Sequence, residues 1–349
     1  MKIDDLIKHT GEWLKGTGPN SNIVMSSRVR LARNLARLPF PNRANKKGFG
    51  EVISEVQEAM DKIDLFKEAT LFKISELDGV DKQFLVERHL MSHEHATHPD
   101  GKGLIVSREE VLSIMINEED HLRIQVMQSG FNLLETWKII NIVDDSLSEH
   151  LQYAYTGDWG YLTACPTNTG TGMRGSVMLH LPALVMTKQI NKVLAAISKL
   201  SFTSRGFYGE GTHASGNFFQ ISNQVALGHS EDEIIQNING LIRQVIEQEE
   251  QARQALLLQN RPMLEDKICR SYGLLKNAHI ISSEETAELL SMVRLGIDVG
   301  LVKNVSRAAV NELFVMALPA HLQKLESKKL STTERDEKRA SLIRSKLGG

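Results

Sequence analysis

Residues 111–128 read VLSIMINEEDHLRIQVMQ. Two alternating stretches, VLSIMIN (111–117) and HLRIQVMQ (121–128), flank Glu118, Glu119 and Asp120, and period two around a short polar link reads as an antiparallel hairpin with three acids at its tip. VMSSRVRL (24–31) alternates in the same way, with Met25, Ser27, Val29 and Leu31 on one side and Ser26, Arg28 and Arg30 on the other. Extended segments are further expected at FLVERHL (84–90), 104–107, YLTAC (161–165), SVMLHL (176–181), 202–208 and 217–222. Helices are expected weakly over 1–16, over 48–66 from the spacing of Phe49, Val52, Ile53, Val56, Met60 and Ile63, over 131–152, and from Pro182 to about Leu200. The run Ser-Glu-Asp-Glu at 230–233 is a helix start with acids in its first turn, and helical sequence then holds almost to the end. Strand-rich sequence thus gives way to helical sequence between residues 230 and 260.

The composition narrows the class. Of 349 residues 41 are basic and 43 acidic, so a net charge of −2 leaves no electrostatic footprint for nucleic acid. At 41% hydrophobic residues the chain can fill a core. Two cysteines, Cys165 and Cys269, make neither a disulfide framework nor a four-thiolate zinc site, which suits a reducing compartment. With no secretory signal pattern and no apolar run near the ~18 residues of a membrane span, a soluble, cytoplasmic protein is expected.

Three loops gather unusual residues: NEEDHLR (117–123), CPTNTGTGMRGS (165–176) and SRGFYGEGTH (204–213). GTGMRG (170–175) fits G-x-G-x-x-G but leads into a strand, whereas a dinucleotide turn opens a helix. A P-loop is absent, since Lys102 is followed by Gly103. Arg28, Arg30, Arg123, Arg174 and Arg205 would together clamp a polyphosphate with planar, permanently charged forks; the alternative is solvated surface arginine. Glu119 and Glu210 would hold a cationic acceptor or act as base, or else are solvated turn charges. Cys165, with Thr167 two residues on, is either a thiolate or a small buried hydrophobe. His89, His93, His95 and His98 match no standard metal spacing, so no metal ligand set is expected.

SSRVRLARNL (26–35), ERHL (87–90), NEEDHLRIQVMQ (117–128), YLTACPTNTGTGMRGSVMLHLPAL (161–184) and RGFYGEG (205–211), in unbroken order, resemble the phosphagen (ATP:guanido) kinases, and more closely their bacterial branch, the protein arginine kinases. The resemblance implies an α+β fold, a large antiparallel sheet flanked by helices, followed by an all-helical C-terminal domain; the expected division is 1–255 and 256–349. It implies ATP with Mg²⁺, and a nucleotide site made of Ser27, Arg28, Val29, Arg30, His89, Arg123, Arg174, Gly175, Ser176, Val177, Met178, Arg205 and Gly206. It makes Glu119 and Glu210 the carboxylates that orient the acceptor guanidinium, Glu119 the better candidate for base, and Cys165 the thiolate beside the acceptor nitrogens.

Three departures from the small-molecule members bear on the acceptor. Only 25 residues precede Ser26, where those enzymes carry a helical domain that closes over a small guanidino compound. Met178 stands where they usually have a histidine near the base. A helical extension follows the catalytic segment and holds RDEKRA (335–340), which resembles the phosphoarginine-reading motif of protein arginine kinases. Arg335 and Arg339, at i and i+4, would fork one phosphate, with Asp336 taking a guanidinium; the alternative is a salt-bridged helix face. The expected function is therefore phosphorylation of arginine in proteins, with a small-molecule guanidino kinase and a phosphoarginine-binding adaptor as alternatives. The partners implied are proteins with exposed arginines, a heat-shock repressor among them, a zinc-binding activator, a Clp protease and a second copy of the chain.

Overall fold

The computed structural model describes residues 2–206 and 215–348. The strands are β1 (Val24–Arg33), β2 (Ala69–Lys73), β3 (Gly103–Ser107), β4 (Leu112–Ile116), β5 (Leu122–Ser129), β6 (Tyr155–Thr156), β7 (Gly160–Tyr161), β8 (Met173–His180), β9 (Phe202–Arg205) and β10 (Phe218–Asn223). Eight of them form one antiparallel sheet in the order β2-β3-β4-β5-β1-β8-β10-β9, while β6 and β7 pair as a separate small hairpin. The hairpin expected from residues 111–128 is β4 and β5, with Ile116 opposite Leu122.

One face of the sheet is packed on helices. Val29, Leu31, Ile114, Ile124, Val126, Val177 and Ile221 join Val52 and Val56 of the Lys46–Lys62 helix, Ile140 and Val143 of Leu133–Ser148, and Ile235, Ile238 and Ile242 of Glu231–Gln259 in a single buried cluster. Each such side chain contributes about 1.5–3 kcal/mol of hydrophobic stabilisation. Gly175 lets the long helix come this close, because a Cβ there would sit 2.6 Å from Ile238 Cδ1.

Among the described residues, the opposite face is covered at its two ends. Phe84 and Leu85 of the Gly79–Glu87 helix pack on Leu104, Val106 and Met115. At the other end Trp13, Met25, Met127, Met178 and Phe218 share a cluster with Leu290, Val293, Val310, Leu313 and Ile343 of the C-terminal helices. The polar strand residues lie between these two covers.

The long Glu231–Gln259 helix opens with the expected Ser230 capping box and runs across residues 255 and 256 without a break. Five further helices follow: Arg261–Asn277, Ser283–Asp298, Arg307–Met316, Pro319–Leu325 and Thr332–Lys346. They are tied to the sheet side by buried polar contacts. Arg294 donates to Ser21 O at 2.7 Å and to Asn311 Oδ1 at 3.0 Å, and Glu87 accepts from the backbone amides of Ala320 and His321 at the start of Pro319–Leu325.

Several expected elements differ. FLVERHL (84–90) is not a strand: Asp78 caps a helix that ends at Glu87, and His89 is left-handed at φ 58°. A short apolar run of this kind fits a buried helix or a strand equally well. YLTAC (161–165) contributes only Tyr161 to a ladder before Pro166 turns the chain. The helix from Pro182 breaks at Lys188, φ 59°, into Pro182–Met186 and Ile190–Lys199. A register shift between Val24 and Ser26 moves Met25 off the expected face into the cluster with Trp13.

Candidate active site

Strand register gathers the arginines. Arg30 lies opposite Arg174 and Arg28 opposite Ser176 across β1 and β8, Arg123 opposite Ala32 across β5 and β1, and Arg205 opposite Gln220 across β9 and β10. Period two puts all five on the face left bare between the two covers. Arg28 donates to Gln220 Oε1 at 2.8 Å and Ser176 Oγ at 3.3 Å, and Arg174 donates to Ser222 Oγ at 2.9 Å. The Arg30 Nε is buried without an acceptor among the described residues. Burial, with Arg123, Arg174 and Arg205 close by, lowers the Arg28 guanidinium to about 9. Burial and the charges of Arg28, Arg123 and Arg174 push Arg30 well down, against the opposing pull of Glu118. Arg28 is held by a neutral hydroxyl and a neutral amide, and a row of guanidinium forks matches phosphate oxygens.

The acidic tip splits into three tasks. Glu118 pairs with Arg123 at 2.6 Å and accepts from Ser92 Oγ; burial acts to raise its carboxyl, but Arg123 and Ser92 bring it down to about 2. Glu119 is exposed and accepts a hydrogen bond from the Cys165 thiol; burial, then Asp120 and Glu118, raise its carboxyl above the ordinary value. Asp120 is buried and accepts from Asn34 Nδ2 at 2.6 Å and from the Ala164 amide at 2.7 Å. It thereby fastens the tip to the residue before Cys165. Thr167 Oγ1 lies 3.0 Å from Cys165 Sγ. One loop therefore sets a carboxylate and thiol pair next to the anchor of an arginine.

At the Ser26 end of the arginine row a narrow cleft is lined by Trp13, Ser26, Arg28, His89, Met127, Ser176, Met178 and Gln220. The His89 ring meets Trp13 edge-on at 5.3 Å, and burial with the Arg28 charge lowers its imidazole to about 3, so it is neutral.

Not every expected residue joins the site. Ser27 points to the other face, where it donates to Gly130 O at 2.8 Å and accepts from the Asn132 amide. Val29 and Val177 belong to the apolar core, and Gly175 faces Ile238. Gly206 is buried just past β9, and Glu210 lies outside the described residues. In the last helix Arg339 is buried, donating to Ala317 O at 2.7 Å, Ile281 O at 2.8 Å and Asp336. Arg335 instead donates outward to Thr332 Oγ1 at 3.2 Å, so the two arginines take separate directions where a shared fork was expected.

The ATP:guanido phosphotransferase C-terminal catalytic domain matches residues 51–252, and the protein-arginine kinase McsB C-terminal domain matches 261–349. A protein-arginine kinase of Halothermothrix orenii is 50% identical over 348 residues, 99% of each chain. The chain belongs to the protein-arginine kinase family of ATP:guanido phosphotransferases. The protein-arginine kinase of Bacillus subtilis is 45% identical over 337 residues, covering 96% of this chain and 93% of the relative. Among solved structures, lombricine kinase superposes with a TM-score of 0.60 at 26% identity, over 73% of this chain and 71% of that one. The duplicated taurocyamine kinase of Schistosoma mansoni, with bound transition state analogue components, gives 0.61 at 26% identity, over 67% of this chain and 34% of that longer one. No helix among the described residues is long and apolar enough to cross a membrane.

Sequence reasoning passed over Trp13, Asn34, Glu118, Asp120, Gln220 and Ser222. Period two on 217–222 puts Gln220 and Ser222 on one face and was the available signal for them. Trp13 and Asn34 act across distant segments and leave no local pattern.

Proposed function

We propose that the chain transfers the γ-phosphoryl group of ATP to the guanidinium of arginine residues in proteins. The observation that carries the reading is the hydrogen bond between exposed Glu119 and half-buried Cys165, one residue from the carboxylate that anchors Arg123. A guanidinium is a poor nucleophile because its lone pairs are delocalised and its pKa exceeds ~12. Glu119 and Cys165, with Glu210, would localise that charge, turn one nitrogen toward the γ-phosphorus, and pass its proton to Glu119. Arg28, Arg30, Arg123, Arg174 and Arg205 would hold the phosphates and take up charge on the departing ADP, while His89 and Met178 flank the base. Magnesium, held by the phosphates, would neutralise further charge there; no three His, Cys, Asp or Glu side chains stand together among the described residues to hold a metal. Alignment is the protein's main contribution, about 7–11 kcal/mol where two reactants are well held.

Exposure of Glu119 favours an arginine presented on a macromolecule, in keeping with the relatives' names. Arg335 and Asp336, with Arg339 behind them, are proposed to read phosphoarginine, and the helical extension to join two copies. A cytoplasmic setting, a zinc-binding activator, a heat-shock repressor as substrate and Clp proteolysis complete the proposal. Incubation with ATP, Mg²⁺ and an unfolded protein, followed by mass spectrometry kept off acid, is expected to find phosphate on arginine. Transfer to free arginine with none to protein would overturn the reading in favour of a small-molecule kinase.

A further inference from the structure

Trp13 is 1% exposed, and its Nε1–H is buried with no acceptor among the described residues. A buried donor left unpaired costs about 1–3 kcal/mol, so such a group calls for a partner. The indole lines the cleft at the Ser26 end of the arginine row, against His89 and beside Met127 and Met178. Its surroundings are flat or apolar on these sides, while Ser26, Ser176 and Gln220 line the rest of the cleft. The segment that carries it is fixed from outside the sheet: Leu14 O accepts from Asn311 Nδ2 at 3.2 Å, His9 O from Arg88 Nη2 at 3.0 Å, and the Glu12 amide donates to Glu109 O at 3.2 Å. The indole is thus held in place before any ligand arrives.

We infer that Trp13 recognises the nucleotide base, its ring forming one wall of the base subsite and its Nε1–H donating to a ring nitrogen of the purine. This assignment rests on the nucleotide reading of the arginine face. It separates two parts of one ligand: the arginine row meets the phosphates, with Arg28 at the border of the two, whereas Trp13 meets the base and is indifferent to the phosphates. It also means that the base subsite is completed by the N-terminal segment, which none of the strand motifs contains.

The test compares ADP with inorganic tripolyphosphate, a ligand with phosphates and no base, on the full chain. Trp13→Phe keeps a ring and removes the N–H. It is expected to weaken ADP by about tenfold, the size of one buried hydrogen bond, and to leave tripolyphosphate within twofold. A second measurement avoids dependence on that variant's folding: with Trp137→Phe and Trp159→Phe in place, Trp13 alone fluoresces, and its emission should change on saturation with ADP and stay constant with tripolyphosphate. Equal weakening of both ligands, no weakening of ADP, or an emission blind to ADP would overturn the assignment of Trp13. Failure of the unmodified chain to bind either ligand would instead overturn the nucleotide reading, and this inference with it.

Discussion

Arg30 faces Arg174 directly across the β1 and β8 ladder. Like charges opposite one another destabilise a sheet, and Arg30 adds a buried Nε with no acceptor. The free protein buries the Arg30 charge at a cost that a bound polyanion relieves. Arg30→Met is therefore expected to raise the melting temperature of the free protein, by about 1–2 kcal/mol of stability, while lowering kcat/KM for ATP at least a hundredfold. ADP should raise the melting temperature of the parent chain more than that of the variant. Thermal melts with and without ADP, beside steady-state kinetics, decide it; a variant both less stable and less active would refute the trade.

Asp120 touches neither proposed reactant, yet it accepts from Asn34 and from the Ala164 amide beside Cys165. Asp120→Ala strands both donors and releases the loop that carries Cys165. The expected outcome is a fall in kcat of about a hundredfold, from a misplacement on the order of 1 Å, with KM for ATP nearly unchanged because the arginine row stays in place. A KM effect as large as the kcat effect would show general disorder.

These two cases mark what the sequence discloses. Arg28 and Arg30 are legible because period two fixes a strand residue's face whatever its partners, and the 111–128 hairpin is legible for the same reason. Asp120 sits beside Glu119 in the same acidic tip, but its task depends on Asn34 and Ala164, which only tertiary pairing brings near. Ser27 lies within a recognisable motif and still turns away from the site, since the motif also records the packing of β1. His89 needed a helix to end at Glu87 and a left-handed turn, neither of which an apolar run such as FLVERHL declares.

The Glu119 carboxyl, partly desolvated although the residue is exposed, is raised by that desolvation and by Asp120 and Glu118. A base must be deprotonated, so activity is lost as pH falls through that raised value, and the acid limb of kcat/KM should lie above the 4.5 of an ordinary glutamate. Glu119→Gln should remove the limb and lower kcat by about 10²–10⁴-fold. A limb that persists unchanged in the variant would assign it to another group.

His180 reports on the junction of sheet and helices. Its Nε2 lies 2.8 Å from Ser291 Oγ, and burial, then Arg294 and Arg253, hold the imidazole well below 6.5. The folded pKa is depressed, so this stabilisation is complete above the unfolded value near 6.5 and is lost as pH falls below it. Between pH 7.5 and 5.5 the parent chain therefore loses stability. His180→Gln should therefore melt closer to the parent chain at pH 5.5 than at pH 7.5, and a gap independent of pH would contradict the assignment.

Arg335 and Arg339 share a motif but differ in what their removal does. Arg339 holds Ala317 O, Ile281 O and Asp336 together in a buried knot, so Arg339→Ala leaves two carbonyls and a carboxylate without their donor and should cost about 3 kcal/mol. Arg335 meets Thr332 at the surface, and Arg335→Ala should change stability by less than about 0.5 kcal/mol. Any loss of phosphoarginine binding in Arg339→Ala is thus entangled with loosening of the last helix, whereas the same loss in Arg335→Ala would bear on recognition alone. Urea unfolding of both variants beside a phosphoarginine titration separates the two effects, and equal destabilisation by the two substitutions would show that Arg335 is also part of the knot.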